Sequence, residues 1–368
     1  MRKFCYGALS VGIIVCFIMS MTSKADEHSG SDVVKAWSDT PRKQEGKKMV
    51  VAYVSSAFED MPDPTLMTHI YYAFGNVAAS YDSVEIMNPE KFRRVAALKE
   101  QNPDLKVCLS IQTLKRDGFV KMTSSDSLRA SFVGHCKRIV DEYNLDGIDL
   151  DWEFPATNAG MAEGGHPDDP RNYSYLARDL KEMLGRDKQI SFYSSNTAEY
   201  NDLGMMEPYV DYVMVSGYNL GTPPSQHQSN LYPSRTCGSW SVSESVKAHV
   251  NKGIPKEKIL IGIPFYARTS KDYQKEQGLQ DNYVAWRQFD RFLAAYNPNK
   301  AKWDKTAKAP YFADKNGRIL AAFDNERSIA EKGKYIEKEG LAGAFYWHYD
   351  SEAGNHSLAR AVSSACKK

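Results

Sequence analysis

The chain has 368 residues, with 47 basic and 46 acidic side chains and a formal net charge of +1. That balance gives no electrostatic case for nucleic acid or an anionic membrane surface as a partner. Hydrophobic residues make up 42%, enough for a large core, and the length suits one (β/α)8 barrel, which takes ~250 residues plus insertions. Aromatics reach 12%, with 22 Tyr and 6 Trp. Such an excess suits a ring-stacking cleft, but composition alone favours the plainer reading of a large core.

Arg2 and Lys3 open the chain, an apolar run follows from about Cys5 to Met21, and Ser23-Lys24-Ala25 then puts small residues where a signal peptidase reads. Residues 1–25 therefore read as a secretory signal peptide cut after Ala25. The competing reading is an uncleaved anchor, because the run approaches the ~20 apolar residues that span a bilayer. The small residues favour cleavage, so no stable membrane insertion is expected. Residues 26–48 are polar, without an apolar period, and read as a flexible leader. Residues 49–368 read as one domain, expected in the periplasm, at the cell surface or outside the cell.

Cys5 and Cys16 fall in the signal, leaving Cys108, Cys136, Cys237 and Cys366. Four cysteines allow three full pairings, and sequence cannot choose among them. Their spacing fits no zinc site. Cys108, in an apolar run, reads as an inert buried thiol.

Eight strand-like apolar runs follow, at 49–55, 68–75, 105–111, 147–152, 189–195, 209–216, 259–265 and 342–347. Amphipathic helical patterns lie between most of them, at 89–101, 127–143, 172–184, 241–252 and 328–338. Strand–helix alternation repeated about eight times implies an α/β fold whose parallel sheet closes into a (β/α)8 barrel. An open doubly wound sheet is the alternative, but no Gly-rich phosphate turn follows the first run. The connections 217–240 and 267–320 are long and rich in Pro, Gly, Asn and aromatics. In a barrel such loops build the functional face.

The chemistry centres on Asp146-Gly147-Ile148-Asp149-Leu150-Asp151-Trp152-Glu153. On a strand, residues two apart share a face, so Asp149, Asp151 and Glu153 form one row, with Glu153 outermost. Crowded carboxyls share protons and raise one another's pKa, which keeps an acid protonated near neutral pH. Cleavage of a glycosidic bond needs such a donor for the leaving oxygen. A metal site is the competing reading, and a surface acidic patch is the bland one. Ile148, Leu150 and Trp152 argue against the patch by marking a core strand.

This segment matches the D-x-x-D-x-D-x-E signature of family 18 glycoside hydrolases, and the chain resembles those chitinases, of bacterial type, from about residue 49 to 350. Val51-Ala52-Tyr53, Thr68 to Phe74, Pro167 to Leu184, Tyr232-Pro233-Ser234, Ile261 to Arg268, Trp303-Asp304, Ala307 to Tyr311 and Gly343 to Trp347 carry the rest of the resemblance. It implies a retaining, substrate-assisted hydrolysis of β-1,4-linked N-acetylglucosamine chains such as chitin. Glu153 would be the general acid and base, Asp151 would orient the substrate acetamido group, and Asp149 would tune Asp151. Tyr53 and Ser110 would support Asp149. Tyr218 would bond the acetamido oxygen, and Trp347 would floor the sugar. Asn219, Arg268 and Phe74 complete the expected substrate contacts, and Asp146 is expected to anchor the strand. No metal or organic cofactor is implied, and a monomer is expected.

Two departures stand out. The family's Ser-x-Gly-Gly reads Ser110-Ile111-Gln112-Thr113 here, and its Met-x-Tyr-Asp reads Ser216-Gly217-Tyr218-Asn219. The interval after Arg268 also looks short for the large α+β insertion of some chitinases. The expectation is that this insertion is absent and the groove shallow, which favours endo-hydrolysis. Alternative readings are an endo-β-N-acetylglucosaminidase on N-glycans, an enzyme of bacterial wall glycans, and a non-catalytic chitinase-like binding protein. Loss of the final acid would mark the last of these, and Glu153 is intact.

Overall fold

Eight apolar runs pair in parallel and close on themselves. In the computed structural model they are β1 (Met49–Ser55), β2 (His69–Val77), β4 (Lys106–Gln112), β5 (Gly147–Leu150), β6 (Gln189–Ser194), β7 (Tyr212–Val215), β8 (Ile259–Pro264) and β14 (Gly343–Trp347). A short β3 (Val84–Ile86) adds an antiparallel edge to β2. The order runs β1-β14-β8-β7-β6-β5-β4-β2, and pairing of β1 with β2 shuts the barrel. The structure describes residues 48–113, 117–156, 164–235, 240–278, 282–288, 301–352 and 354–367. The expected signal peptide and all of the leader but Lys48 lie outside them. Among the described residues no helix is long and apolar enough to cross a membrane.

Each strand is buried on both faces, and alternation sorts its side chains into two layers. Val50, Ala52, Ile70, Val107, Leu109, Ile148 and Ile261 pack outward under the helices. Val51, Tyr53, Tyr71, Cys108, Met214, Leu260 and Phe345 fill the interior. Helices Pro89–Ala96, Asp126–Glu142, Asp169–Leu184, Val242–Asn251 and Glu326–Glu339 answer the five amphipathic patterns. Local capping fixes their starts: the Ser241 hydroxyl accepts from the Glu244 amide at 3.2 Å, and Asn325 with Ser328 forms a reciprocal box.

The barrel's lower end is pinned by Asp146. Its carboxylate accepts from the Val107 amide at 2.9 Å and pairs with Lys99 at 2.8 Å and Lys106 at 3.2 Å. The anchoring role expected for this residue is what the geometry gives. Cys108, Cys136 and Cys366 are buried free thiols. Cys237 lies outside the described residues.

Between β8 and β14 the structure corrects the expectation of no inserted α+β element. The chain there folds a second sheet, five-stranded and antiparallel, in the order β10-β9-β13-β12-β11. Its strands are β9 (Tyr266–Thr269), β10 (Tyr283–Ala285), β11 (Lys302–Asp304), β12 (Ala309–Ala313) and β13 (Ile319–Ala322). Helix Lys271–Gln277 follows β9, and Tyr273, Val284, Phe312 and Phe323 form a small core of its own. Runs of three to five residues interrupted by Pro and Lys carry too little alternation to be read as strands, which is why this sheet was not foreseen.

Candidate active site

The row on β5 takes the expected form, with the strand proper ending at Leu150 and the outer two carboxyls just beyond it. Asp149 is fully buried. Its Oδ2 accepts from Tyr53 Oη at 2.9 Å and Ser110 Oγ at 2.7 Å, and its Oδ1 accepts from Ser191 Oγ at 2.6 Å. Tyr71 Oη lies 3.1 Å from Ser191 Oγ and closes the cluster. Strand register makes this possible, since Ser110, Asp149 and Ser191 stand side by side on β4, β5 and β6. Among the described residues no three His, Cys, Asp or Glu side chains converge as metal ligands. Asp149 is instead enclosed by hydroxyl donors.

Burial sets the electrostatics. It pushes the Asp149 carboxyl upward, and the hydroxyls from Ser191, Ser110 and Tyr53 pull it back part of the way. Asp151 is pushed well up by burial, then by Glu153 and Asp149 beside it. Glu153 is raised by burial to about 7. Burial first, then Asp149 and Asp151, drives the Tyr53 hydroxyl up, so it stays a donor. Burial thus favours the protonated form of all three adjoining carboxyls, and lifts Glu153 into the range where enzymes work.

Above the row a cavity opens at the strand ends. Asp151 and Glu153 line it together with Tyr53, Phe74, Tyr218 and Trp347, all singled out from sequence. Trp347 stacks on Phe74 with ring centroids 5.6 Å apart and planes at 25°, and meets Tyr53 at 5.6 Å. The peptide bonds Ala73–Phe74, Glu153–Phe154 and Trp347–His348 are cis. Tyr218 reaches the cavity because two glycines let strands approach. A Cβ on Gly217 would lie 2.2 Å from the Gly262 carbonyl oxygen, and one on Gly262 would lie 2.7 Å from the rings of Tyr218 and Phe345.

Asn219 and Arg268 also line the cavity, as expected, but they are tied to each other. Asn219 Oδ1 accepts from Arg268 Nε at 3.0 Å and Tyr266 Oη at 3.1 Å. The Asn219 φ of 55° lies in the left-handed region, which Asn tolerates better than most residues. Arg268 Nη1 donates to Asn282 Oδ1 at 2.6 Å, and its guanidinium lies 5.2 Å from the Tyr266 ring centroid.

Four lining or supporting residues escaped the sequence reading. Ser191 was legible in principle, since it falls beside Asp149 once β5 and β6 are in register. Tyr193, two residues on, faces the same way and lines the cavity. Tyr266 sits directly after β8, where barrel sites form. Tyr283 belongs to the inserted sheet and had no local signal.

The chain matches glycosyl hydrolases family 18 over residues 36–352. It therefore belongs to that family. A probable endochitinase of Caenorhabditis elegans is 28% identical over 338 residues, covering 79% of this chain and 52% of its own length. Chitinase A1 of Niallia circulans is 24% identical over 301 residues, covering 69% and 42%. The chain thus spans about half the length of these relatives. Among solved structures, a family 18 N-acetylglucosaminidase from Paenibacillus barengoltzii superposes with a TM-score of 0.73 at 28% identity, over 86% of this chain and 99% of that one. A Group IV chitinase of Ostrinia furnacalis superposes at 0.75 with 23% identity, over 87% and 100%, and supports the fold.

Proposed function

We propose that the protein is a chitinase-like glycoside hydrolase that cleaves β-1,4-linked N-acetylglucosamine chains with retention of configuration. The observation that carries this reading is Glu153: a carboxyl raised to about 7, at the open end of a buried carboxyl row, facing a cavity walled by Trp347. A group poised there holds a proton for part of the population at neutral pH and can give it to the leaving glycosidic oxygen. It then takes a proton from the attacking water and returns to its starting state.

Among the described residues that line the cavity, no second carboxylate is free to act as a nucleophile on the opposite face. Asp149 is locked by three hydroxyls, and Asp151 is buried against Glu153. This supports the variant in which the substrate's own acetamido oxygen attacks the anomeric carbon while Asp151 holds the acetamido N–H. Tyr218 and Trp347 line the cavity; in this reading Tyr218 donates to the acetamido oxygen and the Trp347 ring offers a face to the sugar. The names of the relatives, endochitinase, chitinase and N-acetylglucosaminidase, agree on the linked sugar. The ground for an endo preference was the absence of an inserted sheet, and that ground is gone. Export with cleavage after Ala25 remains our reading of the N-terminus, to be checked by N-terminal sequencing of protein recovered outside the cytoplasm.

The test is product analysis of residues 26–368 with chito-oligosaccharides and, in parallel, an N-glycopeptide. Release of β-configured products from the oligosaccharide alone supports the proposal. Cutting of the glycopeptide alone moves the activity to N-glycans, and binding without turnover makes the chain a lectin. Glu153→Gln should lose about 10²–10⁴-fold in rate while keeping oligosaccharide binding; retained turnover would remove Glu153 from its role.

A further inference from the structure

Ser110 and Gln112 stand two residues apart on β4 and so project to the same inner side. Ser110 is in register with Asp149 and Ile111 with Leu150, and the Asp151 amide donates to the Ile111 carbonyl at 2.8 Å. Gln112 is therefore one rung above Ser110, as Asp151 is one rung above Asp149. The lower rung is closed, since Ser110 Oγ donates to Asp149 at 2.7 Å. The upper rung is open. Gln112 lines the cavity beside Asp151 and Glu153, half-buried, and its side-chain amide makes no hydrogen bond to a described residue.

A primary amide offers two donors and two acceptor lone pairs, and the ring hydroxyls and acetamido group of a sugar offer matching partners. Replacing cavity water at such a group with a direct bond favours binding when the geometry of both partners is met. In the family pattern Ser-x-Gly-Gly this position is glycine, which has no side chain to offer. Building on the functional reading above, we propose that Gln112 is a substrate-contacting, specificity-determining residue. Its amide pairs with a polar substituent of the N-acetylglucosamine unit seated over Trp347. The family's glycine cannot make that contact. Binding of short oligosaccharides, which have few other contacts, depends on it most.

The test is steady-state kinetics of the full chain, wild type and variants, on chito-oligosaccharides of two to six units. Gln112→Gly should raise KM for the shortest cleaved substrate about tenfold, with kcat moved less than about threefold, as expected for a lost ground-state hydrogen bond. Gln112→Met keeps the approximate length of the side chain but loses its donors and carries no charge, and should show a comparable rise. A KM unchanged in both variants overturns the proposal. A rise in Gln112→Gly alone also overturns it, because volume rather than pairing would then be responsible. If the wild type cleaves none of these substrates, the functional reading fails first, and calorimetric binding of the same oligosaccharides decides the contact separately. About tenfold weaker binding by Gln112→Gly upholds it, and an unchanged Kd rejects it.

Discussion

Ser191 Oγ donates to Asp149 Oδ1 at 2.6 Å from the neighbouring strand, on the side of the carboxyl away from Tyr53 and Ser110. One strand of the barrel thus fixes the orientation of the acid on the next. Ser191→Ala would leave Oδ1 without this donor inside the barrel. Stability should fall by about 1–3 kcal/mol, the range for a buried polar atom left unpaired. Because the Ser191 hydroxyl is the foremost influence lowering the Asp149 pKa, its loss should move that pKa further up. Urea unfolding measures the first effect. The second is read from the pH profile of kcat/KM, which stays fixed if Asp149 is not coupled to Asp151.

The carboxyl row makes stability depend on pH with a definite sign. Glu153 rises from 4.5 to about 7 through burial, so the folded state binds its proton more tightly than the unfolded chain does. Its contribution is present below pH 4.5 and is lost as pH rises through about 7. At one pKa unit per 1.36 kcal/mol, the span is up to about 3 kcal/mol, shared with Asp151. Glu153→Gln removes the ionisation, so it should match the wild type at pH 4.5 and exceed it in stability at pH 8. Equal unfolding free energies for the two proteins at both pH values would count against the burial argument.

Asp151 is expected to hold the acetamido group, and Asp151→Asn should slow hydrolysis of N-acetylated chains by about 100-fold or more, as for loss of one positioned stabiliser. An unaltered rate would exclude substrate assistance through this residue.

Asn219→Asp puts a carboxylate where the amide oxygen now accepts from Tyr266 and Arg268. The new charge shares a cavity with Glu153 and should raise its pKa, extending activity to higher pH. Arg268 opposes the change by pairing with the new carboxylate, so the shift should grow in Asn219→Asp/Arg268→Gln. Identical profiles in all three proteins would show that the position does not communicate with the acid.

Lys91 and Asp350 form an ion pair 3.2 Å long with both side chains fully buried. Lys91 Nζ also donates to the Ser55 and Phe58 carbonyls at 2.7 Å, and the Ser55 amide donates to Asp350 at 2.7 Å. The pair therefore joins the end of β1 to the segment after Trp347. Lys91→Met strands a buried charge and should cost about 3–5 kcal/mol, whereas replacing both partners with apolar residues should cost less. Chemical denaturation of the two variants compares them directly; equal losses would mean the charge is not the source.

Much of this was written in local sequence. All eight barrel strands were legible, because fully buried parallel strands give continuous apolar runs that no loop imitates. The row from Asp149 to Glu153 followed from period-two geometry alone. What alternation could not supply was lateral register, so Ser191 and Tyr193 emerged only once β6 lay beside β5. The inserted sheet was opaque for a different reason. Its strands owe their stability to Tyr273, Phe312 and Phe323 packing together rather than to any pattern within each strand. Asn219 shows the same gap at one residue, since its partners Tyr266 and Arg268 arrive from a sheet that was not expected.

That sheet divides the cleft between two independently hydrogen-bonded frameworks. Asp149, Asp151, Glu153 and Trp347 are rooted in the parallel barrel, whereas Tyr266, Arg268 and Tyr283 come from β9 and β10. A substitution within the small core of Phe312, Val284 and Tyr273 can tilt one wall of the groove without disturbing a single bond to Asp149. The two walls of the groove can therefore vary separately: the one formed by the inserted sheet can drift while the carboxyl row stays under the tighter constraint of a closed barrel.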